Sequence, residues 1–181
     1  MSAVPVSVAA ADPINLSACN TSAVSHPFAR WGDLAPYELA PGGDFETSAW
    51  TLTGSANRVS GSEPYAATGT LGSSSLALPA GSSAESPSTC VDAAYPSVRF
   101  FISGTGSVAV TIVDRSLGIP MDIPAGVAVA GSWWMPTPVM LTTSAVLGAT
   151  SNGVAQVSLR ITALSGKPRV DDVFIDPWFR S

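Results

Sequence analysis

The chain is short of charge. Only 12% of its 181 residues are Asp, Glu, Lys or Arg, about half the share of an ordinary soluble domain. Its surface must therefore be covered largely by Ser, Thr, Gly and Ala. Eight residues are basic, Lys167 is the only lysine, and the net charge is −5. A phosphate-neutralising surface cannot be assembled from that stock, so nucleic acid is not an expected partner. His26 is the single histidine and precedes Pro27. That removes the usual zinc sets, unless the cysteines served as ligands, and leaves no good base for a nucleophilic triad. No Gly-x-Ser-x-Gly elbow argues otherwise. No apolar run approaches the ~18 residues of a membrane span, so no membrane-spanning helix is expected and the chain should be soluble.

Cysteine is scarce too. Cys19 and Cys90 are far apart and in no metal-ligand spacing. The leading reading is a disulfide that ties the N-terminal segment to the body of the domain, contributing up to roughly 4 kcal/mol in the chain-entropy model. Such a bond persists in an oxidising compartment. The alternative is a pair of buried thiols acting as small apolar side chains. Ala3 to Ala11 is mildly apolar and ends in Ala9-Ala10-Ala11 before Asp12, like the remnant of a secretory leader, yet no Lys or Arg precedes Arg30 and Pro5 breaks the run. Either the start is assigned too late or the N-terminus is disordered; export to an extracellular location is the expectation. Asn15-Leu16-Ser17 and Asn20-Thr21-Ser22 match the glycosylation sequon.

What is present is apolar and β-favouring. Hydrophobic residues make up 46%, enough to bury a core. Residues 1–41 read as a leader remnant and irregular arm, because Pro13, Pro27, Pro36 and Pro41 prevent any long helix or strand. Residues 42–181 read as one β-sandwich domain, with short runs rich in Val, Ile, Thr, Phe and Trp between Gly, Ser, Pro and Asn. Val154 to Ala163 alternates, with Ala155, Val157, Leu159, Ile161 and Ala163 on the dry face. Val98 to Ile102, Gly104-Thr105-Gly106 and Val108 to Ile112 read as a hairpin whose glycines supply positive φ at the turn. The same Gly-x-Gly-x-x-Ala string is not a dinucleotide site, since a β-branched run follows where a helix is needed. No sustained 3.6 period and no internal repeat occur, so the fold is expected to be nearly all β.

Two motifs stand at opposite ends of this domain: Gly42-Gly43-Asp44-Phe45-Glu46 with Trp50 close behind, and Val170-Asp171-Asp172-Val173. They resemble the opening and closing motifs of galactose-binding-like, carbohydrate-binding jelly-roll modules. The resemblance implies an antiparallel β-sandwich closed by its own first and last strands, and a structural calcium. Its side-chain ligands would be Glu46 and Asp171, with Asp44 and Asp172 as substitutes; Gly42 stands where the family commonly has Asn. Hard oxygen donors suit calcium, although carboxylates near strand ends also cap turns. The chain also resembles small exported actinobacterial proteins that pair a Pro-Phe-Ala-x-Trp-Gly-Asp segment, here Pro27 to Asp33, with a closing Asp-Asp-Val-x-x-Asp-Pro, here Asp171 to Pro177. No activity follows from that second resemblance.

Sugars present flat arrays of C–H groups that pack on aromatic faces. Trp50 and Trp134 are expected in the core, as are at least some of Phe100, Phe101 and Phe174. Trp31, Tyr37, Tyr65, Tyr95, Trp133 and Trp178 sit in Pro, Gly or Asp-rich contexts and are candidates to stack on a ligand; covering the open ends of a sandwich is their other use. The leading functional expectation is non-catalytic binding of a polysaccharide or glycan. The runner-up is a secreted coat, matrix or filament subunit that self-associates as a homo-oligomer. Catalysis ranks third, since Glu38, Glu63 and Glu85 lack the context of a glycosidase pair.

Overall fold

The computed structural model describes residues 23–92, 97–115, 119–141 and 154–176. The leader remnant, both sequons, Cys19, Tyr95 and Trp178 lie outside them. Among the described residues the regular structure is all strand, apart from a single 3-10 turn at Ala29–Trp31. Two long strands organise it. The strand β7 (Ser97–Asp114) runs antiparallel to β11 (Val154–Asp176) along almost its whole length. On its other side β11 pairs with β6 (Thr89–Asp92), β5 (Ser83–Glu85), β4 (Ser74–Ala77) and β1 (Glu38–Leu39) in turn. The far edge of β7 pairs with β8 (Met121–Val129), β9 (Met135–Pro136) and β10 (Met140–Leu141). Two short strands complete the edges, β2 (Thr51–Thr53) on β5 and β3 (Asn57–Ser60) on β4.

This sheet folds onto itself and becomes a two-layer sandwich. The fold line crosses β7 at Gly104 and Gly106 and β11 at Gly166, where φ is +99°, +90° and +67°. Gly106 lies opposite Gly166 in register. The Gly-Thr-Gly segment is therefore a bend inside one continuous strand, not the expected hairpin turn. A turn would reverse the chain, whereas β11 stays paired with β7 on both sides of the glycines. Met140 on β10 packs against Gly126 on β8, so the two layers meet face to face. Their shared core contains Phe100, Ile102, Val110, Ile112, Leu159, Ile161, Val170 and Ile175 among others. The dry face expected for Val154 to Ala163 is the buried one, with Ala155, Val157, Leu159, Ile161 and Ala163 each at most 2% exposed.

The expected closure by the two terminal motifs is direct. Val173 N–H donates to Gly43 O and Ala40 N–H to Val173 O, both at 2.9 Å. Gly43 allows that approach, because a Cβ there would stand 2.6 Å from Val173 O. Phe45 and Trp50 then drop into the core with ring centroids 5.1 Å apart, and Trp50 Nε1–H donates to Pro41 O. The opening motif thus acts as a plug for the sandwich end.

Burial along the long strands differs between the layers. In β7 every residue from Ser97 to Ser103 is buried, while burial from Ser107 to Ile112 is confined largely to alternate positions. A strand buried on both faces must be covered on both. The second cover is the arm itself.

Candidate functional site

Residues Ala23 to Ala40 form a strap over the outer face of the layer built on the N-terminal half of β7. Phe101 and Phe174 point outward there, opposite to Phe100 and Ile175, and the strap supplies Phe28 and Tyr37 to cover them. Phe28 stacks on Phe101 at 5.5 Å and meets Phe174 and Tyr37 edge-on. Trp31, Tyr65 and Trp134 pack at the rim of this second cluster. Trp50 is core as expected; Trp134 instead lies on the outer face, half-buried beneath the Arg169 guanidinium. Tyr65 OH donates to Trp134 O at 2.8 Å, which joins the 63–69 loop to the 130–138 segment.

One ion pair fastens the strap. Asp33 Oδ2 accepts from Arg99 Nη1 at 2.6 Å and from Tyr37 OH at 2.8 Å, and Oδ1 accepts from Ala35 N–H. Burial pushes the Asp33 carboxyl up, but the hydrogen bonds from Tyr37, Ala35 and Arg99 together outweigh it and hold the group below the usual carboxylate range. Burial, reinforced by the Asp33 charge, pushes the Tyr37 phenol up to about 12. Tyr37 is 1% exposed. As an expected ligand-stacking ring it is corrected: it has no free face and serves to hold the strap.

Trp31 and Tyr65 do border open space. An open groove of about 290 Å³ is lined by Ser25, His26, Arg30, Trp31, Tyr65 and residues 66–69. The two rings meet at 82° with centroids 5.0 Å apart, and the Arg30 guanidinium lies 5.2 Å from one and 5.1 Å from the other. Trp133, next to Trp134, is 81% exposed. Two of the expected rings, Trp31 and Tyr65, thus border the groove on the strap face, and a third, Trp133, is exposed on the 130–138 segment.

The carboxylates expected to hold calcium have distinct surroundings. Glu46 is exposed and accepts from Ser73 N–H, Ser74 N–H and Ser73 OH; those bonds, led by Ser73, hold it below its ordinary pKa. Asp171 is fully buried and accepts from Ser62 OH at 2.7 Å and Glu63 N–H at 2.8 Å. Burial pushes it up to about 6. Glu46 Oε1 and Ser62 Oγ both lie close against Gly72, where an added Cβ would stand 2.9 Å and 2.7 Å from them, and the Ser62 hydroxyl is the group that donates to Asp171. The donors are hard oxygens, as calcium requires. Among the described residues no group of three or more His, Cys, Asp or Glu side chains is arranged to hold a metal ion. Any calcium here would draw its remaining oxygens from hydroxyls, backbone and water.

The two substitutes are placed differently. Asp44 accepts from Glu46 N–H, a turn cap. Asp172, at φ +44°, is buried behind Asp171. Burial pushes it up to about 9, with the charges of Asp171, Glu63 and Asp44 adding to the shift. Glu63 is the residue that the sequence concealed. Its carboxylate accepts from Tyr65 N–H and Ala67 N–H and fixes the loop that walls the groove. Its local Ser-Glu-Pro context gives no sign of a partner at Asp171.

Three solved structures share the architecture. A xylan-binding domain, CBM22-2, from Paenibacillus barcinonensis superposes with a TM-score of 0.50 at 11% identity, covering 76% of this chain and 97% of that one. The fold is an antiparallel jelly roll. The CBM22-1 and GH10 modules of a Clostridium thermocellum xylanase complexed with xylohexaose give 0.50 at 13% identity over 72% of this chain. An arabinose-bound α-L-arabinofuranosidase gives 0.51 at 14% over 78%. This chain spans only 26% of each of those two larger proteins. No family model and no curated protein sequence matches the chain.

Proposed function

We propose that the protein is an exported, non-catalytic carbohydrate-binding module whose ligand lies across the strap face. The observation that carries this reading is the open groove edged by Trp31 and Tyr65 on a jelly-roll scaffold, with Trp133 exposed on the segment to which Tyr65 is hydrogen-bonded. The ligand is a cell-wall or environmental polysaccharide. The three carboxylates weighed for a glycosidase have structural surroundings: Glu38 is buried on β1, Glu63 is committed to a loop, and Glu85 is flanked by Arg115 and Arg160. A disulfide from Cys90, buried on β6, to Cys19, which lies outside the described residues, is part of the same proposal.

Replacing Trp133 with alanine is expected to weaken retention on the bound polysaccharide about tenfold, the scale of an exposed tryptophan anchor. Its melting temperature should stay within about 1 °C of wild type, because surface truncations cost little. Unchanged retention in affinity electrophoresis would remove Trp133 from the site.

Calcium is proposed as a structural ion between Glu46 and Asp171, stiffening the 44–46 and 61–73 turns rather than touching sugar. Chelation is expected to lower the melting temperature by about 3 °C or more. The response should vanish in Glu46→Gln; a wild-type protein indifferent to calcium would refute the ion.

Self-association is the second reading, and one feature favours it: Val127 and Val129 are 58% and 75% exposed on the edge strand β8. The strap speaks against it, since residues 23–40 cover their own sheet instead of reaching to a neighbour. A light-scattering mass that rises with concentration would reverse the order.

A further inference from the structure

Arg30 is held in an unusual way for an exposed arginine. Several other arginines have polar partners: Arg99 pairs with Asp33, Arg115 with Glu85, and Arg160 with Glu85 and Asp122. Arg58 and Arg169 donate to backbone carbonyls and serine hydroxyls. Arg30 has no carboxylate within ion-pair distance among the described residues and instead sits in the angle between two perpendicular rings, Trp31 and Tyr65. Ring contacts of this kind fix a guanidinium without satisfying its N–H donors. The planar fork is pre-organised, and its hydrogen-bonding edge has no partner among the described residues.

The rest of the groove is built to the same purpose. His26 Nδ1 lies 3.0 Å from Leu34 O, and since a carbonyl only accepts, Nδ1 carries the proton. In the neutral ring Nε2 is then an acceptor for a hydroxyl. The opposite wall is rigid: Gly69 N–H donates to Ala66 O, and Glu63 grips the amides of Tyr65 and Ala67. A cation, an acceptor and a loop fixed by its own hydrogen bonds thus surround a space near the lower end of small-molecule sites in size. A neutral sugar leaves the guanidinium's charge unanswered. A carboxylate answers it with two parallel charge-assisted hydrogen bonds.

We propose that the Arg30 groove selects carboxylate-bearing sugars, so that the polysaccharide recognised contains uronic acid units. This rests on the carbohydrate-binding reading above. The overall charge of −5 fits a site that reads single carboxylates at contact range rather than attracting polyanions from a distance.

The test is calorimetry with an oligogalacturonate, its carboxyl-reduced counterpart and a sulfated version of the reduced chain, at two salt concentrations. The expected result is a preference of tenfold or more for the uronate over the reduced chain, falling towards parity in Arg30→Gln and to an intermediate value in Arg30→Lys, which keeps the charge and loses the fork. Melting curves check that both variants fold. Equal binding of reduced and uronate chains, or a preference that survives Arg30→Gln, overturns the selectivity while leaving the carbohydrate reading intact. Binding of the sulfated chain as tight as the uronate overturns the carboxylate geometry in favour of charge alone. Failure of all three chains to bind, together with no retention on any neutral polysaccharide, overturns both.

Discussion

Asp33→Ala is expected to cost about 3 kcal/mol and to detach the strap. Arg99 is the reason. Its side chain is 9% exposed, its guanidinium lies 4.3 Å over the Phe28 ring, and its Nε–H donates to Thr137 O. With Asp33 removed, that charge stays buried without its counter-ion, and breaking one side of a buried pair costs roughly 3–5 kcal/mol. The lower figure applies because Asp33 itself is 18% exposed and water will reach the vacated space. Tyr37 OH and Ala35 N–H lose their acceptor at the same time. Urea denaturation followed by tryptophan fluorescence measures the loss, and the double variant Asp33→Leu with Arg99→Met should recover much of it. The pair also sets a pH dependence. A depressed folded-state pKa stabilises the fold above the unfolded carboxylate's value, near 4, and that contribution disappears as pH falls through the folded value. Wild type should therefore lose strap stability in acid by a component that Asp33→Ala lacks. A variant with full stability and the wild-type acid profile would show that the ion pair fastens nothing.

Gly106→Ala is expected to be still more damaging, by more than about 4 kcal/mol, the range reserved for forced rearrangement. An added Cβ would stand 2.0 Å from Ser165 O and 2.8 Å from Gly166 Cα. Both are backbone atoms of the paired strand, so no rotamer change relieves the contact. The strands must part where both bend between layers. Gly81→Ala is the matched control: φ is +80° and nothing lies within 4 Å of the new Cβ. It carries only the left-handed strain, about 1–2 kcal/mol. Similar losses for the two variants would show that the bend tolerates separation and that steric contact at Gly106 is unimportant.

These two positions also mark what the sequence disclosed and what it hid. The closing of the sandwich by Gly42–Glu46 and Val170–Val173 was legible through the resemblance of those two motifs to jelly-roll modules, while the close approach that Gly43 allows to Val173 became visible only in the structure. The dry face of Val154–Ala163 was legible from alternation alone. The bend at Gly104 and Gly106 was not. Two glycines at positive φ serve a turn or a bend equally well, and the choice is made by the partner strand at Gly166, distant in sequence. The aromatics misled for a related reason. Tyr37 sits among Pro and Asp residues that suggest exposure, yet it is buried because Phe101 and Phe174 face away from the main core and need a cover. Adjacent phenylalanines at 100 and 101 were the available signal, since in a strand they must face opposite sides. Glu63 gave none: its carboxylate caps the amides of Tyr65 and Ala67, while its own N–H reaches Asp171, far away in sequence.

The central claim is that the strap face binds polysaccharide, and affinity electrophoresis through gels cast with single polysaccharides tests it most directly. Wild type, Trp133→Ala and Arg30→Gln would be run beside a non-binding reference protein, with light scattering on the same samples. The account predicts that at least one polysaccharide retards the wild-type protein, that both variants run closer to the reference, and that the protein's mass does not change with concentration. Wild type migrating with the reference in every gel, with a mass that climbs as concentration rises, would contradict it.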